Sequence, residues 1–316
     1  MNNELKSAFE KVGGWGLIKQ YRKAGVLFYA IFQILLTGTS KKSLEIVRLG
    51  VQLKIKNKLK KRFKETLDDF DKQYEVESQT TSERFVWVCW LQGIENAPLI
   101  VQKCYELLKR NITDRKIILI TQNNISQYVS FPDYIMEKYR KGIISHTHLS
   151  DLLRIELLYK YGGTWIDSTV LCTGGNIPRY MMDSELFFFQ NLKPGCNGAS
   201  TNISSWFISA VPHNRLIAAL RTLLYDYWRR YDYLMDYFLI HLFMEIILER
   251  YPEEHKKIIK FPNSVPHILL LMMFEPYDAD KYKAVTEMCP FHKLAYKRSQ
   301  ADQKKADTYY QYILKL

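Results

Sequence analysis

Between Ser150 and Val170 the chain reads SDLLRIELLYKYGGTWIDSTV, and this string constrains the fold more than any other feature. Leu152, Leu153, Ile155, Leu157 and Leu158 cover most of a helix circumference, so the segment predicts a buried helix. Ser150 is the expected N-cap, and Gly162 with Gly163 supplies a left-handed exit. TWID then reads as a short strand with Asp167 at its carboxyl end, the side on which open α/β sheets bind ligands. Asp151 and Arg154, three residues apart, share one face of what should be the first helical turn, where the helix dipole favours an anion. Unpartnered charges in so apolar a run cost several kcal/mol. From these residues alone, either the pair satisfies itself inside the core or a polar ligand completes it.

The surrounding texture is strand and helix in alternation. RFVWVCW and KIILIT read as strands, APLIVQKCYELLKR as an amphipathic helix between them, and ELFFFQ and SSWFISAV as later strands. Helices follow near residues 215–230 and 236–249. This order predicts an α/β fold with a mainly parallel sheet covered on both faces. Residues 1–78 read instead as a helical, basic module preceding a main domain at 79–316.

Within that module, residues 41–64 hold ten Lys/Arg against the single acid Glu45, directly after the apolar run VLFYAIFQILL. Eleven residues span only about 16 Å as a helix, too short for a hydrocarbon core of about 30 Å. An apolar face beside a basic one instead fits an interfacial anchor on an anionic leaflet, the alternative being a hairpin packed on the main domain. The net charge of +12 favours an anionic partner in general. Cys89, Cys104, Cys172, Cys196 and Cys289 are odd in number, show no C-x-x-C spacing, and accompany no signal-peptide pattern. The expected location is therefore the reducing cytoplasm, peripherally attached to the inner face of the cell membrane.

Read as a whole, Ser-Asp-x-x-Arg followed by Gly-Gly-x-Trp-x-Asp-x-Thr resembles the signature of retaining glycosyltransferases with a GT-A fold, and bacterial capsular polysaccharide synthesis glycosyltransferases in particular. The likeness extends more softly over GGWGLIKQYRKAGVL, FVWVCWLQGIENAP, SSWFISA and CPFHKLAYK. It implies a Rossmann-like GT-A fold that moves a hexose, galactose or glucose, from a UDP-sugar to a saccharide with retention. UDP-galactose or UDP-glucose is the implied donor, and an undecaprenyl-diphosphate-linked saccharide the implied acceptor. Carried onto this sequence, the resemblance places Trp87 on uracil and Asp151 and Arg154 on donor-sugar hydroxyls. It places Asp167, with Ser168 and Thr169 beside it, at the ribose, sugar and metal. Thr169 departs from the pattern, because the second Asp of Asp-x-Asp is a hydroxyl here. The resemblance further suggests His292 on Mn²⁺ (or Mg²⁺), Lys293 on the distal phosphate, and Asp236 facing the reactive side of the donor. An imidazole ligand would favour Mn²⁺. For His292 and Asp236 the plain alternatives are a hydrogen-bonded histidine and a helix N-cap.

The Gly- and Asn-rich segment KPGCNGASTNISSW is the expected acceptor loop. Two other function classes compete. Nucleic-acid binding finds support in the charge but no helix-turn-helix, zinc-finger or RNP-type motif, so no nucleic acid is expected as a partner. A catalytically silent sugar-binding or scaffold protein is kept in play by Thr169.

Overall fold

The structure is a computed structural model that describes residues 14–75, 83–192 and 201–316. Four helices come first: α1 (Gly14–Ala24), α2 (Leu27–Thr37), α3 (Lys41–Arg62) and α4 (Lys64–Gln73). The elements that build the remainder are β1 (Phe85–Cys89), α5 (Leu99–Asn111), β2 (Lys116–Ile120), α6 (His146–Tyr161), β3 (Gly163–Ile166), β4 (Val170–Cys172), β5 (Leu186–Gln190), β6 (Ile203–Ala210), α7 (Arg215–Arg230), α8 (Leu239–Arg250) and β7 (Phe291–Lys293). The loop expected to shape the acceptor site and Cys196 fall largely at 193–200, outside the described residues, as does the anticipated boundary at 78.

Five strands form one sheet in the order β2-β1-β3-β6-β5. β1 runs parallel to β2 and β3, β6 is antiparallel to β3, and β5 is antiparallel to β6, so β6 alone is reversed. The expected parallel sheet is therefore parallel-rich and mixed. Side-chain parity splits the core across it. Trp87, Trp165, Phe188 and Ile208 pack with the helical layer, while Val86, Val88, Ile166, Phe187 and Phe207 pack on the opposite face. Both faces are covered, as near-continuous apolar strands require.

The helices before residue 75 belong to the same core. Val51, Ile55, Leu59 and Phe63 are buried in it, and the Phe63 ring meets that of Phe243 edge-on at 5.1 Å. Lys56 and Lys60 both reach Glu249 on α8, and Arg250 reaches Asp68 and Asp71 on α4.

The turn from α6 into β3 needs its glycines. Gly162 and Gly163 have φ of +65° and +90°. A Cβ on Gly163 would stand 2.4 Å from the Phe85 carbonyl oxygen, and one on Gly162 would stand 2.6 Å from Pro212 Cδ. A side chain at either position would be strained in conformation, and would besides strike β1 from Gly163 or Pro212 from Gly162.

Candidate functional site

α6 begins five residues earlier than the sequence suggests. Ser145, not Ser150, is its N-cap, with Ser145 Oγ accepting from the His148 amide. His146, Thr147 and His148 continue the helix, so Asp151 and Arg154 stand beyond the first turn, and the helix dipole contributes little there. Their shared face survives the correction, because it depends only on the three-residue spacing.

Arg154 is the hub. Its Nη2 lies 3.3 Å from Asp151 Oδ1 and 3.5 Å from Asp167 Oδ1, and its Nη1 donates to the Ser205 carbonyl. The guanidinium also stacks over the Trp165 ring, 4.9 Å from its centroid. β3 ends at Ile166, which leaves Asp167 just past the strand end, its carboxylate accepting from the Trp165 indole N–H at 2.9 Å. From the far end of the chain, β7 pairs with β4 in antiparallel register, Lys293 opposite Val170. That pairing brings Lys293 Nζ to 2.9 Å from Asp167 Oδ2 and into a hydrogen bond to Thr169 Oγ1.

Electrostatics separate the two acids. Burial pushes the Asp151 carboxyl up to about 6, with Asp167 adding to the rise and Arg154 opposing it. Burial acts on Asp167 in the same direction but is outweighed by Lys293 and Arg154, which hold its carboxyl below the usual range. One carboxylate is thus firmly ionised while its neighbour is poised near neutrality.

These groups face a cavity of about 1000 Å³, whose wall includes Asp151, Arg154, Asp167 and Lys293. His241, from α8, completes the polar floor. Burial lowers its imidazole to about 3, so it is neutral, and its Nδ1 is buried without a hydrogen-bond partner among the described residues. Gln190, Asn191, Asn263 and Trp206 form another side, with the Trp206 indole N–H donating to Asn263 Oδ1 at 2.9 Å. The opposite rim comes from the N-terminal helices through Tyr29, Gln33, Leu49 and Leu53. A smaller groove of about 660 Å³ between α4 and α7 carries charges that satisfy one another, Asp226 accepting from both Thr66 and Arg230.

Three expected residues are elsewhere. Trp87 has no exposed surface; its indole donates to the Gly162 carbonyl at 2.8 Å and its ring is packed against Phe85, Tyr128 and Tyr161, so it cannot stack on a base. It holds the Gly-Gly turn, and Trp206 is the indole at the cavity wall. His292 is likewise fully buried, and burial lowers its imidazole to about 4 against a small opposing effect of the Cys289 backbone. Alternation along β7 turns Lys293 toward Asp167 and therefore His292 away from it. Asp236 lies ahead of α8 rather than opening it; its Oδ1 accepts from the Phe238 amide at 2.7 Å, and it is buried behind the cavity wall. Ser168 is half-buried and off the wall, and Thr169 reaches the site only through Lys293.

A divalent ion does not fit the donor set. Among the described residues no group of three His, Cys, Asp or Glu could hold one. The two carboxylates at the cavity flank a guanidinium, and one also carries an ammonium. The sequence positions that would supply further ligands are a threonine and a histidine turned away.

Comparison with known proteins gives the chain a family. The model of the family described as capsular polysaccharide synthesis protein matches residues 38–313. The chain belongs to that family. An O-glycosyltransferase, braB, of Annulohypoxylon truncatum is 33% identical over 97 residues, covering 28% of this chain and 23% of its own. The glycosyltransferase afumC of Aspergillus fumigatus is 29% identical over 97 residues, covering 28% of this chain and 25% of its own. The chain thus spans about a quarter of the length of these curated relatives. Among solved structures, PaToxG Glycosyltransferase overlaps 82% of this capsular-family chain and 95% of its own at 14% identity and a TM-score of 0.38, too loose a fit to argue from.

His241 and the amide-rich wall escaped sequence reasoning. A lone histidine in DYFLIHLF is indistinguishable from a packed core residue, and Asn263 carries no local pattern at all.

Proposed function

We propose that this member of the capsular polysaccharide synthesis family is a glycosyltransferase of GT-A type that moves a hexose, galactose or glucose, from a UDP-sugar to a saccharide with retention. The observation that carries the reading is Arg154, buried yet stretched between Asp151 and Asp167 at the wall of an open cavity with Lys293 across from it. Self-satisfied core ion pairs have no such opening.

An incoming diphosphate competes with Asp167 for the Lys293 ammonium and the Arg154 guanidinium. These two cations take up the negative charge that grows on the leaving group as the bond from the anomeric carbon to phosphate oxygen breaks. Asp167 and Asp151 accept hydrogen bonds from ribose and sugar hydroxyls, Asp151 being able to donate one as well when protonated. No described carboxylate besides these two stands at the polar floor, and both are engaged by Arg154. Retention then follows most simply from attack on the face the leaving group departs: the acceptor oxygen bonds to the anomeric carbon and its proton passes to the departing phosphate oxygen.

The cation role of Lys293 replaces the Mn²⁺ or Mg²⁺ that the sequence signature suggests. A panel of UDP-sugars followed by UDP release tests both points. Donor hydrolysis or transfer is expected with UDP-galactose or UDP-glucose, at a rate unchanged by EDTA. No UDP from any donor would overturn the enzyme reading. Activity lost in EDTA and restored by Mn²⁺ would overturn the role of Lys293 alone.

A further inference from the structure

α2 wears its greasiest stripe on the outside. Phe28, Ile31, Phe32, Leu35 and Leu36 recur at the spacing of a single helical face, and all five are exposed, Phe28 at 88% and Leu35 at 78%. The helix contains no charged residue from Leu27 to Thr37. Its inward residues are few: Ala30 is buried, and Tyr29 packs where a Cβ on Gly50 of α3 would come within 2.9 Å of its hydroxyl. The next helix repeats the pattern, with Ile46, Leu49 and Leu53 exposed one turn apart. Scattered exposed apolar side chains are ordinary, but a contiguous outward stripe on two adjoining helices marks an interaction site.

Charge indicates what covers it. Lys41, Lys42, Arg48 and Lys54 are exposed around the stripe, with Glu45 the lone acid on α3, already paired to Arg48 at 3.0 Å. A second copy of this chain, itself at +12, would set such a rim against an identical one. An anionic lipid surface matches both the apolar stripe and the basic rim. No described helix is long and apolar enough to cross a membrane, so the contact is one of lying on the surface.

The stripe also runs into the site. Ile46, Leu49 and Leu53 line the same cavity as Asp151, Arg154 and Asp167. We propose that α2 and the outer face of α3 rest on an anionic lipid surface and that the cavity holding Asp151, Arg154 and Asp167 opens toward it. That the cavity is a transfer site rests on the transferase reading; the surface contact does not.

Flotation of the full chain with vesicles tests it. The protein is expected to rise with phosphatidylcholine vesicles containing about one third phosphatidylglycerol and to stay down with phosphatidylcholine alone. Phe28→Glu combined with Leu35→Glu should weaken vesicle binding by about tenfold or more. Both side chains are exposed and off the cavity wall, so UDP affinity by calorimetry and the thermal midpoint should be unchanged. Ile46→Glu, at the rim, should also weaken binding. A wild type that ignores anionic vesicles, or a double variant that floats like the wild type, would overturn the surface contact. A wild-type dimer in light scattering that the double variant dissolves without vesicles would assign the stripe to a second copy instead. Ile46→Glu floating normally would overturn the cavity's orientation toward the surface. Intact flotation with no UDP binding would instead count against the transferase reading.

Discussion

Two charge clusters hang from the same helix, and they are built to opposite specifications. At Glu156 the carboxylate accepts from Arg221 Nε at 2.5 Å and from the Tyr225 hydroxyl at 2.7 Å, both donors standing on α7. Two residues earlier, Arg154 reaches its carboxylates only at 3.3 and 3.5 Å, and its Nε is buried without a partner among the described residues. A folded chain satisfies the first kind of cluster from within. In the second, Nη1 reaches the Ser205 carbonyl, but the two carboxylates stand at longer range and Nε has no partner among the described residues, so hydrogen-bonding capacity is left unused where a cavity adjoins it.

The sharpest way to break this contrast is to neutralise one acid from each cluster. Asp167→Asn should lower sugar transfer by about 10²- to 10³-fold, because Lys293 and Arg154 lose the anion that positions them for a diphosphate. The variant should retain its far-ultraviolet circular dichroism. Initial-rate measurement of UDP release checks this, and undiminished turnover would remove Asp167 from the site.

Glu156→Gln should do the reverse. Breaking a largely buried ion pair strands the Arg221 guanidinium, which is about one-third exposed, at a cost of about 2–3 kcal/mol in stability. Urea titration should show the midpoint falling, while turnover per folded molecule stays near that of the unaltered chain. Equal loss of activity in the two variants would mean that the clusters are coupled and the contrast is false.

The contrast also explains how much could be read from the sequence. The helix, the Gly-Gly turn and the strand ending at Asp167 were legible because each rests on local chemistry: an apolar period, a φ that only glycine tolerates, a β-branched run. The convergence of Asp151, Arg154 and Asp167 followed from that local order. Lys293 came from the resemblance alone, since only the pairing of β7 with β4 carries it across the chain. Where assignments failed, a long-range or parity effect decided. Trp87 belongs to a strand buried on both faces, so an aromatic there had no route to a ligand. His292 and Lys293 are neighbours in sequence, and a strand sends neighbours to opposite sides. Ser145 displaced Ser150 as the cap because two histidines and a threonine, with no strong helical signal of their own, extend the helix upstream. His241 and Asn263 had no sequence signal because what makes them notable is the cavity they face.

A finer probe is the pH dependence of stability at Asp151. Burial holds its folded carboxyl up to about 6 against an ordinary 3.8, so between these values the folded protein holds a proton that the unfolded chain has released. Stability attributable to this group therefore falls as pH rises from about 4 and is fully lost above about 6, a penalty on the order of 3 kcal/mol. Asp151→Asn removes the titration and should unfold at higher temperature than the unaltered chain at pH 8. The advantage should shrink as pH drops through 6 and vanish below 4. Such a gain, accompanied by weaker donor binding, would show a carboxylate retained against the interest of stability. A lower midpoint at pH 8 would instead mean that Asp151 and Arg154 form a net stabilising pair like Glu156 and Arg221, and the distinction between the two clusters on the helix would dissolve.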